Sequence, residues 1–174
     1  MEWRNGIVVY KKQLNEAQKI ILYFVIYSFL GWILETIFAI FVLGRFVKRG
    51  FLYGPVCPIY GFGAVLIILT LKKFKGKKAK EFFISMIVFS VFEYLVSWLF
   101  EMIFHLRWWD YSNDIGNING RISIAYSLAW GAIGLIFNEK IHPFIEAKLD
   151  KAKSKISYEL QKIIVIILPI AILT

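Results

Sequence analysis

The sequence predicts an all-α, multipass transmembrane helix bundle of four to five spans, with a cytoplasmic N-terminus and an ordered outer loop rich in Gly and Pro. Three observations carry this expectation. First, 59% of the 174 residues are hydrophobic and 18% are aromatic, whereas a soluble domain is nearer half apolar. Second, charge is clustered: long charge-poor runs alternate with short basic stretches, as in multipass membrane proteins. Third, if the spans alternate, 16 of the 21 Lys and Arg fall on one side. That bias places the N-terminus inside.

Residues 1–19 are polar and mixed and are expected to be a cytoplasmic segment. Residues 20–137 form the expected membrane domain. Its first run, Ile20–Leu43, is long enough to cross about 30 Å of hydrocarbon. It is also too long for the apolar core of a signal peptide, so it is expected to stay as a signal anchor. The run from Gly50 to Leu71 is uncharged, but Gly54-Pro55 and Cys57-Pro58 break its first third. Its helix is expected to begin near Pro58, where proline suits a first turn. Phe82–Phe104 is a third full-length span. Ile122–Phe137 is shorter, and Gly131, Ala132 and Gly134 equip it for close packing. Residues 138–162 are charged, with a partial apolar stripe at Ile145, Leu149, Ile156 and Leu160 that suits a surface helix. Residues 163–174 form a fifth apolar segment, only about 18 Å long as a helix.

The net charge of +9 would suggest nucleic acid in a soluble chain. In a membrane chain it fits anionic headgroups and topology signals such as the Lys72–Lys80 run. Membrane lipids are therefore the expected partners, and nucleic acid is not. Cys57 is the single cysteine, so neither an intrachain disulfide nor a thiolate metal site can be built. His105 and His142 stand apart from other ligand types, and no metal, cofactor or catalytic motif is expected.

Ionisable residues within apolar runs are the candidate site, because a charge in hydrocarbon needs a partner or a watery cavity. Glu35 shares a helix face with Ser28, Gly31 and Trp32. Glu93, Ser97 and Glu101 share another. Arg49, Arg107 and Arg121 lie on the side poor in basic residues, near Asp110. Two roles fit these residues. One is structural: each glutamate is paired with an arginine, since guanidinium suits carboxylate, or hydrogen-bonded to Tyr, Trp or backbone. The other is a proton, cation or substrate site, centred on Glu35 and Glu93 with Arg49 and Arg121 in the outer half, and with Glu101 and Asp110 nearby. No basic residue on its own helix can reach Glu93.

Several segments together resemble a known family. They are Tyr27-Ser28-Phe29-Leu30-Gly31-Trp32 with Glu35, the Arg49–Ala64 loop, Trp109-Asp110-Tyr111-Ser112, Asn119-Gly120-Arg121, and Ser127 with Trp130-Gly131. Spread over residues 27 to 131, they are similar to the ABC-transporter type IV, CmpB-like family of small bacterial membrane proteins. The resemblance implies a multipass inner-membrane protein acting as a permease component. The sequence has no G-x-x-x-x-G-K-[ST] phosphate loop, so any ATP hydrolysis would need a separate ATPase subunit. One chain of this length is small for a complete transporter, which also favours a homo-oligomer. Two other classes remain open: a membrane-embedded enzyme acting on lipid or cell-envelope precursors, and a noncatalytic membrane adaptor.

Overall fold

The computed structural model describes residues 2–4, 7–9, 14–45, 54–153, 161, 163 and 165–166. The chain divides into two compact units, Met1–Val65 with Leu149–Thr174, and Leu66–Lys148.

In the first unit, strands β1 (Glu2–Arg4) and β2 (Ile7–Val9) pair antiparallel, with Trp3 opposite Val8. This hairpin departs from the all-helical expectation. Helix α1 spans Glu16–Leu43. It starts four residues ahead of the apolar run because capping chemistry, not hydropathy, sets its end. The Asn15 carboxamide accepts from the Gln18 backbone N–H at 2.8 Å, and the Gln18 side chain accepts from the Asn15 N–H at 2.9 Å. This reciprocal pair is a capping box, which satisfies two otherwise orphaned donors. The helix stops at Gly44, whose φ of +64° suits only glycine-like backbone freedom, with its N–H on the Ile40 carbonyl at 2.9 Å. Leu14, Leu22 and Val165 form a small buried cluster, against which Ile26 and Leu149 pack.

Helix α2 is Pro58–Leu71 and starts where the proline predicts. Helix α3 is Lys78–Phe104 and ends at His105 in the left-handed region. Helix α4, Ile124–Ile136, runs without a break through a π-helical turn, Phe137–Ile141, into α5, His142–Lys153. In the second unit α3 and α4 pack as an antiparallel hairpin. Its rungs include Ser90 with Ser127 and Glu81 with Asn138.

Among the described residues, two helices, α1 and α3, are long and apolar enough to cross a membrane. Helix α2 has 14 residues and α4 has 13; at about 1.5 Å per residue each reaches only about 20 Å. The four expected spans thus correspond, among the described residues, to two long apolar helices and two shorter ones. The cause is local. Gly and Pro take the first third of the 50–71 run, and Asn138-Glu139-Lys140 ends the apolar stretch of α4. Of the expected fifth segment only Ile163, Val165 and Ile166 are described, all helical. Arg49, the start of the Gly/Pro-rich loop, and Ile156 and Leu160 of the expected surface stripe lie outside the described residues.

His142 stacks on Phe137, with ring centroids 5.9 Å apart. Burial lowers its affinity for a proton below the ordinary value of 6.5; Glu146 opposes the shift and Lys75 adds to it. A depressed value means that folding favours the neutral ring. Its stabilising contribution is complete above pH 6.5 and is lost as pH falls through the folded-state value. Thermal unfolding midpoints should therefore drop as pH falls from 6.5 through the folded-state value, and His142→Gln should flatten the drop. An unchanged slope in the variant would remove His142 as its source.

Candidate functional site

The α3–α4 hairpin has an inverted distribution of side chains. The residues that α3 buries are Glu81, Ser85, Ser90, Glu93 and Ser97, all of them polar. Its exposed face carries Phe83, Ile87, Val91, Leu95, Trp98 and Met102, all apolar. Helix α4 meets this seam with glycines. A side chain at Gly131 would press on the Phe82 ring, and one at Gly134 would overlap Ser85. The close approach lets short hydroxyls reach across, as in the 2.7 Å bond from Ser90 Oγ to Ser127 Oγ.

At the loop end of this seam Arg107, Arg121, Glu101 and Asp110 meet. Arg121 lies 2.6 Å from Glu101 and donates to Ser97 Oγ at 3.2 Å. It also sits 5.7 Å from the centre of the Tyr94 ring, within range of a cation–π attraction. Arg107 bridges Glu101 and Asp110, at 3.4 Å to each. The two arginines and two carboxylates thus neutralise one another. Asp110 also accepts from the Ser112 hydroxyl at 2.5 Å and from the Ser112 N–H at 3.0 Å. These bonds, with Arg107 secondary, hold its carboxyl below the usual range.

The loop between α3 and α4 is built by its own amides. Asn117 donates to the Ser112 and Asp114 carbonyls and accepts from the Gly120 N–H. Asn119 and Gly120 both adopt positive φ, which the Asn-Gly pair tolerates. A β-carbon at Gly120 would run into Ser112 and Asp110. Trp109 donates to the Arg121 carbonyl at 2.9 Å, and Asn119 to the Tyr94 hydroxyl at 2.8 Å. Tyr111 stacks on Tyr126 at 4.2 Å.

Among the described residues, no arginine holds Glu93. It accepts from the Tyr111 hydroxyl at 3.1 Å and from the Trp130 indole N–H at 3.0 Å. One donor comes from the loop and the other from α4, so the carboxylate ties both to α3. Burial, and then the adjacent Glu93 carboxylate, push the Tyr111 phenol well above its ordinary value. It therefore stays a donor.

In the first unit Glu35 accepts from the Tyr60 hydroxyl at 2.6 Å. A side chain at Gly31 would overlap the Tyr60 ring, and one at Gly61 would overlap Ser28 and the Phe24 carbonyl. The Cys57 N–H bonds the Ser28 carbonyl at 2.9 Å. The residues quoted from α1 and from the start of α2 thus form one interlocked contact.

Sequence reasoning offered Tyr and Trp as donors to the glutamates but did not single out Tyr60, Tyr111 and Trp130. It also missed Glu81, which is fully buried at the far end of the seam with Asn138 at 3.0 Å. The signal for Glu81 was faint. It directly follows the Lys72–Lys80 run, where a carboxylate looks like one more surface charge.

An apolar-faced helical hairpin with a polar seam and a hydrogen-bonded loop at one end defines the class of helical protein, and two of its described helices are long and apolar enough to cross a membrane. The particular family follows from the sequence match. Residues 22–174 match the family described as "Putative ABC-transporter type IV", and the chain belongs to that family. No curated protein and no solved structure matches the chain.

Proposed function

We propose that the chain is an integral membrane subunit of a transporter, with its N-terminus in the cytoplasm of a bacterium and several spans in the inner membrane. A polar site in the outer half of the second unit would comprise Glu93, Glu101, Arg121 and Asp110, and Glu35 would serve within the first unit. The observation that carries the reading is the inverted α3, polar where buried and apolar where exposed. In water this pattern would expose a long apolar stripe, which monomeric soluble proteins rarely do. In lipid it is favoured, because the apolar face meets acyl chains and the polar face is satisfied internally. Family membership supports the transport role. The sequence has no phosphate loop, so if ATP drives transport a separate subunit would bind it.

Topology and partnership can be tested together. A Cys57→Ala background with Asn113→Cys should react with a membrane-impermeant maleimide in intact cells, and one with Lys75→Cys only after permeabilisation. Labelling of Lys75→Cys alone in intact cells would reverse the topology. Complexes extracted in mild detergent should carry a nucleotide-hydrolysing subunit, visible in the intact mass and as ATPase activity. Complexes of this chain alone, with no such activity, would sink the transporter-subunit reading.

A further inference from the structure

An apolar groove runs between α3 and α4 on the outside of the hairpin. Phe83, Ile87, Val91 and Leu95, one stripe of α3, form one wall. Leu128 of α4 lies on the other. At the loop end the bridge between Ile118 and Ile122 closes it. The polar groups along the groove are already satisfied. Ser90 Oγ donates to Ser127 Oγ at 2.7 Å, and the Tyr94 hydroxyl accepts from Asn119 at 2.8 Å. Water would gain little there, and an apolar occupant would break no hydrogen bond. Phe83, Ile87 and Val91 are each more than half exposed, so the groove is open along its length.

Its dimensions select the occupant. From Phe83 to Leu95 it follows α3 for about 18 Å, slightly more than one leaflet of about 15 Å. Its larger hollow holds about 460 Å³ between Met86 and Leu95. Spread over about 14 Å of helix, that volume has a cross-section of about 30 Å². A helix with its side chains is about 10–12 Å across and is too wide to sink in. A single acyl chain fits.

The charges decide which end takes a headgroup. Lys80 stands one turn before Phe83 on the same stripe. Lys78 shares the first turn of α3 with it, and Lys75 and Lys77 lie in the turn ahead; all four are exposed. Among the described residues, none of the four enters an ion pair. The nearby carboxylates are engaged: Glu81 is buried against Asn138, and Glu139 accepts from the Gly76 N–H at 3.3 Å. At the loop end, by contrast, Arg107 and Arg121 are matched by Glu101 and Asp110. We propose that the groove and the lysine turn together seat one anionic phospholipid. Its phosphate rests on Lys77 and Lys80, and one acyl chain lies in the groove towards Tyr94. Clustered lysines beside an apolar helix attract anionic headgroups, and each buried methylene adds to the hold. The inference rests on the membrane reading of the chain and not on its transport role.

Native mass spectrometry tests it, on the full chain released from nanodiscs of equal parts phosphatidylglycerol and phosphatidylethanolamine. The wild type should retain one phosphatidylglycerol per chain. Lys77→Gln with Lys80→Gln should lower that retention roughly tenfold, and Lys77→Arg with Lys80→Arg should keep it. Val91→Trp fills the groove from its exposed side and should lower retention with the lysines intact. Equal retention of the two lipids would overturn the proposal. Retention that Val91→Trp leaves unchanged would overturn it too, since the headgroup would then bind with no seated chain. A lipid-free dimer that Val91→Trp dissociates would give the groove to a second copy and defeat the proposal. If Val91→Trp does not fold, the lysine variants carry the test, because their side chains are exposed and lie outside the groove walls. A chain that stays in membranes through alkaline carbonate but retains no phosphatidylglycerol defeats this proposal alone. A chain that carbonate releases defeats the membrane reading and this proposal with it.

Discussion

Gly31→Val is expected to destabilise the α1–α2 contact towards the upper end of the roughly 1–3 kcal/mol typical of overpacking. The atoms that a β-carbon at Gly31 meets are the Tyr60 β-carbon and the adjoining ring carbons. These lie close to the Tyr60 backbone and cannot swing away as the tip of a flexible side chain would. The helices must separate, and the 2.6 Å bond from Tyr60 to Glu35 is lost with them. Leaving a half-buried carboxylate without its donor adds a further penalty of about 1–3 kcal/mol. The unfolding midpoint in detergent, followed by tryptophan fluorescence, reads the combined effect. Tyr60→Ala in the same chain removes the ring but keeps the β-carbon, so it should recover only part of the overpacking and none of the hydrogen bond. A double-mutant cycle should therefore show strong coupling between positions 31 and 60. Additive losses would mean that the two residues do not share a contact.

Legibility in the sequence followed the range of the interaction. The helix at Pro58 and the full-length runs of α1 and α3 were legible, because proline geometry and hydropathy are local properties. The arginine–carboxylate pairing at the loop end was also legible. Arg107 and Arg121 ran against the charge bias, and of the acids offered to them, Glu35, Glu101 and Asp110, they meet the last two. What escaped were partners set by tertiary packing. Nothing local marks Tyr60, rather than an arginine, as the donor to Glu35. Trp130 reaches Glu93 across 37 positions of sequence, a pairing that only the antiparallel seam creates. Glu81 was hidden by its lysine neighbours, since burial of its carboxylate depends on Asn138 arriving from a helix more than fifty residues later. The capping box at Asn15 and Gln18 was present as a motif. It lay outside the apolar run, so hydropathy alone placed the start of α1 too late.

Glu93→Ala is expected to be the most damaging single change in the second unit, and Glu93→Gln a mild one. Alanine strands two donors, the Tyr111 hydroxyl and the Trp130 indole N–H, each at about 1–3 kcal/mol when left unsatisfied. It also opens a void in a seam where glycines let the helices touch. Glutamine keeps the shape and one acceptor oxygen, so it should cost about the net worth of one hydrogen bond, roughly 1 kcal/mol. Thermal unfolding ranks the pair. Trp130→Phe removes one of the stranded donors and should soften the Glu93→Ala loss, because two polar groups deleted together cost less than one left alone. The same variants separate the two roles of the carboxylate. A brace needs an acceptor, and glutamine supplies one, so function should survive Glu93→Gln wherever folding does. A site that binds a proton or a cation needs the charge, so Glu93→Gln should then fold like the wild type and fail to complement a deletion strain. Equal stability of Glu93→Ala and Glu93→Gln would show that the Tyr111 and Trp130 bonds are not what joins the loop and α4 to α3.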